Sequence, residues 1–322
     1  TKIGDESGIS LGQALRSLPK IEKAFLTLSN TQLTDVGGRV LSAGLDRPQL
    51  KDLDLRIRDC EIGDPTGVAL GEALSKCLNM SSLHLEMSGA LWCSRCESCV
   101  KPFADRSAKC HEFSNLEHCN TNVATGCECW EQIVFATDTK IGDESGISLG
   151  QALRSLPKIE KAFLTLSNTK LTDVGGRVLS AGLDRPQLQD LDLRICDCEI
   201  GDPTGVALGT KLTDTGVEAL IAGLVSTELK DLHLQLANTL AGDKTGFAIG
   251  QFLGRCGEMT TLFLSLKDTI IADPTARMLA NVLVVLPLLE TIYLSFKGTF
   301  VTRECIDAVE LKLQRPGLTI DY

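Results

Sequence analysis

The densest cluster of reactive side chains in this 322-residue sequence is LWCSRCESCVKPFADRSAKCHEFSNLEHCNTNVATGCECW. It holds seven of the thirteen cysteines, together with His111 and His118. Thiolate and imidazole are the ligands zinc takes in tetrahedral sites. Cys93, Cys96, Cys99, Cys110, Cys127 and Cys129 would supply enough of them for one site or two. The run Cys93-x-x-Cys96-x-x-Cys99 offers close ligand pairs, but no second Cys-x-x-Cys follows at ribbon distance. In an exported protein the same seven thiols would form disulfides, with at least one left over. A loop that binds nothing is the third reading. Zinc within residues 91–130 is thus the one cofactor suggested, and none is expected elsewhere.

The rest of the chain is poor in catalytic patterns. It has no nucleophile elbow, phosphate-binding glycine loop, zinc-protease helix or dinucleotide fingerprint. GDESG, GDPTG and GDKTG recur where the chain turns into a helix, so Asp5, Asp64, Asp202 and Asp243 are read as caps of the helices that follow. The four histidines, His84, His111, His118 and His233, have no acid–base partner at a telling spacing. No enzymatic activity is expected. Cys60, Cys77, Cys198, Cys256 and Cys305 fall at turn or helix positions and read as small core residues. Cys196, at an outward strand position, reads as an exposed thiol.

These residues are carried by a repeat. Residues 1–71 return as 139–209, an offset of 138, with three differences: Gln32/Lys170, Lys51/Gln189 and Arg58/Cys196. Inside each copy runs a shorter period of 29 or 30, seen by comparing AFLTLSNTQLTDVGG from Ala24 with LDLRIRDCEIGDPTG from Leu53. The frame recurs at Leu191, Leu232 and Leu262, and more loosely at Ile292. Alternation at Leu26 and Leu28, or Leu55 and Ile57, makes a short strand with one buried face. Asp64-Pro65 then opens a helix, with Val68, Leu70, Ala73 and Leu74 at roughly helical spacing. A lone strand–helix unit cannot bury these apolar faces, so units must stack. The handedness of strand–helix–strand crossovers makes the stack right-handed.

Two irregularities break the period. One is the cysteine-rich segment, and the other follows Gly209, where TKLTDTGVEALIAGL arrives without the usual strand before it. The expected organisation is repeats over 1–90, an insertion over 91–130 and repeats again over 131–322.

The run LKDLDLRIRDCEIGDPTGVALGEAL resembles the leucine-rich repeat, in its long, helix-bearing, ribonuclease-inhibitor-like form. The resemblance covers about 1–90 and 131–322. It implies an α/β horseshoe or arc with a parallel inner sheet and outer helices. The usual Asn/Cys position comes two residues late, at Thr31, Cys60, Thr169, Cys198, Thr239, Thr269 and Thr299. The resemblance also implies regulatory roles, as a GTPase activator or an enzyme inhibitor. A structural subunit of a large complex is a further alternative.

If Leu26 and Leu28 point inward, alternate residues face out. The first outward row then reads Phe25, Asp54, His84, Ile133, Phe163, Asp192, His233, Phe263, Tyr293. The second reads Thr27, Arg56, Glu86, Phe135, Thr165, Arg194, Gln235, Ser265, Ser295, and a third ends in Ala237, Lys267 and Lys297. Aromatic residues beside Arg suit a protein partner. Phe25, Asp54, Arg56, His84, Phe163, Asp192, Arg194, His233, Phe263 and Tyr293 are the candidate contacts.

Bulk properties agree with such a module. A net charge of −10 argues against a nucleic-acid groove or an anionic membrane surface. No run approaches the ~18 apolar residues of a membrane span. A cytoplasmic location is expected of such a module; the lack of a recognisable signal peptide at Thr1 carries little weight, since the sequence has no initiating Met.

Overall fold

In the computed structural model, the described residues are 3–88, 91–93, 133–135, 139–167, 169–196, 214–222, 224, 228–314 and 316–322. The first units run α1 (Asp5–Arg16), β1 (Lys23–Thr27), α2 (Asp35–Gly44), β2 (Asp52–Arg56), α3 (Asp64–Leu74) and β3 (Ser82–Glu86). Two short strands follow, β4 (Leu91–Cys93) and β5 (Ile133–Phe135). The array resumes with α4 (Asp143–Ser155), β6 (Lys161–Thr165), α5 (Asp173–Leu183), β7 (Asp190–Arg194), α6 (Asp214–Ala222) and β8 (Asp231–Gln235). It ends with α7 (Asp243–Leu253), β9 (Thr261–Ser265), α8 (Asp273–Leu283), β10 (Thr291–Ser295), α9 (Arg303–Leu313) and β11 (Leu318–Asp321).

Nine strands form one open parallel sheet in the order β1-β2-β3-β6-β7-β8-β9-β10-β11. Along most strands the expected alternation holds. In β2, Leu53 and Leu55 are buried while Asp54 and Arg56 are half-exposed. Each such leucine adds roughly 2 kcal/mol of burial, and the sum over the stack supports units that could not stand alone. The result is the α/β leucine-rich-repeat arc.

The irregular stretches do not interrupt the sheet. Ser82 of β3 pairs with Lys161 of β6, making that unit 79 residues long, and Asp190 pairs with Asp231 across a 41-residue unit. In both units the extra chain lies between strand and helix, where it leaves strand pairing intact. One expectation is corrected. Ile133 and Phe135 do not belong to the outward rows, because β5 pairs antiparallel with β4 in a separate two-stranded sheet. Three-residue apolar strands cannot be told apart by alternation alone.

Where the residue late in the frame is Thr, it closes the turn after its strand. The hydroxyls of Thr31, Thr169, Thr239, Thr269 and Thr299 donate to the carbonyls of Leu28, Leu166, Leu236, Leu266 and Phe296, at 2.6–2.9 Å. The Cys60 thiol instead donates across to the Leu28 carbonyl of the preceding unit, at 3.2 Å. The preceding residue is left-handed at Asn30, Asp59, Asn238, Asp268 and Gly298, as such a tight turn demands.

The helix-start aspartates are also corrected. They do not cap the helices they open; each reaches the start of the next helix along the stack. Asp64 Oδ1 accepts from the amides of Gly142 (2.7 Å) and Ser145 (3.0 Å). Asp143 serves Thr172 and Gly175, Asp214 serves Gly242 and Thr245, and Asp5 serves Thr34 and Gly37. Orphan helix-start amides are thereby satisfied from the neighbouring unit. Asp202 lies outside the described residues.

Helices touch through small residues. A Cβ at Gly12 would collide with the Val40 carbonyl, and one at Gly150 with that of Val178. Gly67 and Gly71 of α3 lie against Ser145 and Ser148 of α4 in the same way. Among the described residues no helix is long and apolar enough to cross a membrane.

Candidate partner-binding face

The sheet register converts scattered residues into a row. Phe25, Asp54, His84, Phe163, Asp192, His233, Phe263 and Tyr293 are successive pairing partners, so the row reads Phe-Asp-His twice and ends Phe-Tyr. The second row, from Thr27 through Arg56, Glu86, Thr165, Arg194, Gln235 and Ser265 to Ser295, runs beside it.

Two near-identical stations result. Arg56 grips Asp54 through Nε–Oδ1 and Nη2–Oδ2, both 2.9 Å, and His84 Nδ1 stands 3.6 Å from Asp54 Oδ2. Arg194 grips Asp192 at 2.9 and 2.8 Å, with His233 Nδ1 at 3.5 Å. His84 then tilts against Phe163 (5.7 Å between ring centroids) and His233 against Phe263 (4.7 Å). Phe263 stacks parallel on Tyr293 at 4.3 Å. The histidines therefore do have acidic neighbours, one unit away in space. A search along the chain misses them, since the separations are 30 and 41 residues.

The electrostatics follow from these contacts. Burial disfavours the Asp192 carboxylate, but hydrogen bonds from His233 and Arg194 more than offset that and bring its pKa down to about 2. Asp54 is lowered too, chiefly by the Arg56 hydrogen bonds. Each guanidinium is raised by its Asp partner. The face thus presents internally balanced charge and rings packed against their neighbours. Its side chains stay accessible: Arg56 and Arg194 are 43% and 42% exposed, and His233 40%.

Phe25 stands apart, exposed on the edge strand β1. Beyond the strand ends, Lys267 and Lys297 share the outward side as half-exposed residues. Cys196 is half-buried, not the exposed thiol expected, because its strand is flanked by neighbours on both sides. Cys60, Cys77, Cys256 and Cys305 are buried, and burial pushes the Cys256 thiol up to about 11. Among the described residues no group of three or more His, Cys, Asp or Glu is arranged to hold a metal. Cys93 contributes backbone to β4, while Cys96, Cys99, Cys110, Cys127 and Cys129 lie outside the described residues, as does Cys198.

No protein-family model matches the chain. Among curated proteins it is similar to ribonuclease inhibitor from Sus scrofa, with 27% identity over 192 residues. That match covers 58% of the chain and only 36% of the inhibitor, so the chain spans about a third of that relative's length. Among solved structures, that of the yeast Rad7 and Elc1 complex aligns with 99% of the chain and 83% of the other, at 16% identity and a TM-score of 0.34. A Listeria monocytogenes internalin aligns with 99% of the chain and 94% of its own, at 14% identity and a TM-score of 0.29.

Proposed function

Because this chain is a leucine-rich-repeat protein, we propose that it is a non-catalytic binding module that engages a protein partner through its strand face. The observation that carries the reading is the pair of Asp–Arg–His–Phe stations, each prearranged and accessible. Rigid aromatic and Arg side chains give contact area without a large ordering cost, which is how interface hot spots are built. Ribonuclease inhibitor, by its name, acts on a protein, and its similarity favours the same class of partner here. Catalysis has no part in the reading, since both Asp carboxylates are tied up by Arg and His.

A photocrosslinking amino acid placed at Tyr293, and separately at the exposed Leu311 of α9, tests the reading in the protein's own cells. A discrete protein adduct is expected from position 293 and not from 311. The double variant Phe163→Ala/Phe263→Ala should abolish it while leaving the far-UV circular dichroism melt in place. Adducts from 311 alone, or adducts indifferent to the double variant, would move the interface to the helical side.

A further inference from the structure

The turns after the last strands carry an apolar rail that the repeat frame does not call for. In the earlier described units, the residue following the late-frame Thr or Cys is exposed and polar: Gln32, Glu61, Lys140 and Lys170. In the last three units it is Leu240, Ile270 and Phe300, at 37%, 47% and 70% exposure. Backbone hydrogen bonds set these side by side. The Ile270 amide donates to Ala241 O at 3.1 Å, and the Phe300 amide to Ile271 O at 2.9 Å. An exposed apolar row, at positions that are polar in the other described units, marks a contact surface.

Between this rail and the Phe263–Tyr293 stack stand Lys267 and Lys297, each placed after its strand and before its turn. Cations along the earlier strands have carboxylate partners: Lys23 with Asp52, Arg56 with Asp54, Arg58 with Glu86, Lys161 with Asp190 and Arg194 with Asp192. Among the described residues, Lys267 and Lys297 form no ion pair. The carboxylates beside them are engaged elsewhere. Asp268 Oδ1 lies over Gly298, and Asp321 Oδ2 accepts from Ser295 Oγ at 2.9 Å. Two ammonium groups on neighbouring strands, about 4.8 Å apart at the backbone, repel each other and gain from a carboxylate set between them.

We propose that the last three units form a docking site for an acidic, apolar segment of a protein partner. Its apolar side chains lie on Leu240, Ile270 and Phe300 and against the Phe263–Tyr293 stack, with an Asp or Glu between them on the two lysines. The inference rests on the binding-module reading, whose partner chemistry it names, and adds the rail as a contact outside the strand face. Electrostatics favour such a segment over an anionic bilayer. A bilayer meets the charge of the whole molecule, −10. A short segment meets the lysine pair, because salt screens charge beyond about 8 Å.

A phage-displayed library of random short peptides, selected on the full chain, tests the site. Enriched peptides should combine Asp or Glu with Leu, Ile, Val or Phe. Synthetic copies of them should bind Lys267→Glu/Lys297→Glu at least about tenfold more weakly, and selection on that variant should enrich Lys and Arg instead. Ile270→Ser/Phe300→Ser should weaken the same peptides by about tenfold. Far-UV circular dichroism melts check that both variants fold, and the single changes Lys297→Glu and Ile270→Ser carry the comparison where a double variant does not. Peptides without an acidic bias, or indifferent to both variants, would overturn the inference. So would phosphatidylserine vesicles held through the same lysines, or a dimeric mass lost in Ile270→Ser/Phe300→Ser, since a lipid surface or a second copy would then be the occupant. A protein adduct from a crosslinker at Tyr293 that survives both variants overturns this inference and leaves the binding-module reading in place. No adduct from that position overturns the binding-module reading, and this inference with it.

Discussion

Asp192 and His233 are 41 residues apart in sequence, yet they meet at 3.5 Å with the same geometry that joins Asp54 and His84 at 3.6 Å across 30 residues. The strand register alone decides this, since both pairs are adjacent partners in the parallel sheet. The surplus of the longer unit falls in sequence between strand and helix, and the β7–β8 register matches that of its neighbours.

The depressed Asp192 pKa makes stability depend on pH in a defined window. A carboxylate with a folded pKa of about 2, below its unfolded value of 3.8, stabilises the fold above pH 4. That contribution, about 2 kcal/mol, is lost as the pH falls from about 4 toward 2. Urea titrations at stepped pH should show the loss in the parent chain and a flatter profile in Asp192→Asn. Asp54→Asn should flatten the profile less.

Removal of a cap contributed by the neighbouring unit should be felt in the following helix. Asp64→Ala strips Gly142 and Ser145 of their acceptor and should cost about 1–2 kcal/mol. Hydrogen exchange should rise first at the start of α4 and not within α3, which carries the mutation. Faster exchange confined to α3 would mean that the carboxylate serves its own helix.

The turn hydroxyls should matter in proportion to their burial. Thr239→Val keeps the shape but leaves the Leu236 carbonyl without its donor, at about 1–2 kcal/mol. Thr299→Val, at a half-exposed turn, should cost less than half of that in the same denaturant titration. Equal costs would indicate that the methyl packing, not the hydrogen bond, holds the turn.

Close helix contact predicts an asymmetry among glycines. Gly150→Ala drives a methyl into the Val178 backbone and should destabilise by about 1–3 kcal/mol. Gly257→Ala meets nothing within 4 Å and should fall within about 0.5 kcal/mol of the parent. Both are read from thermal unfolding under one buffer.

The leucine alternation and the Asp-Pro helix starts made the strands and helices readable from sequence, because both signals are local. What escaped was relational. Asp64 looks like a cap for its own helix because nothing in GDPTG reveals that a neighbour will lie closer. His233 has no partner along the chain because its partner is supplied by the sheet. Ile133 and Phe135 mimic a repeat strand, and a three-residue alternation cannot disclose what it pairs with. Leu18 and Leu156 sit in identical sequence, so their opposite burial was beyond any local reading.

The close seams between helices also govern the bend of the whole stack. Hydrogen bonding fixes adjacent strands about 4.8 Å apart, whereas packed helices ordinarily stand about 8–10 Å apart. That mismatch curls the molecule toward its sheet, and glycine at the helix contacts relaxes the curl by letting the outer layer close up. In α6, Val217 and Ile221 replace the small residues, and both are buried. The bulk of these two side chains favours wider helix spacing behind β7 and β8, the strands that carry Asp192 and His233. Side-chain volume on the outer surface thus bears on the spacing of the inner one.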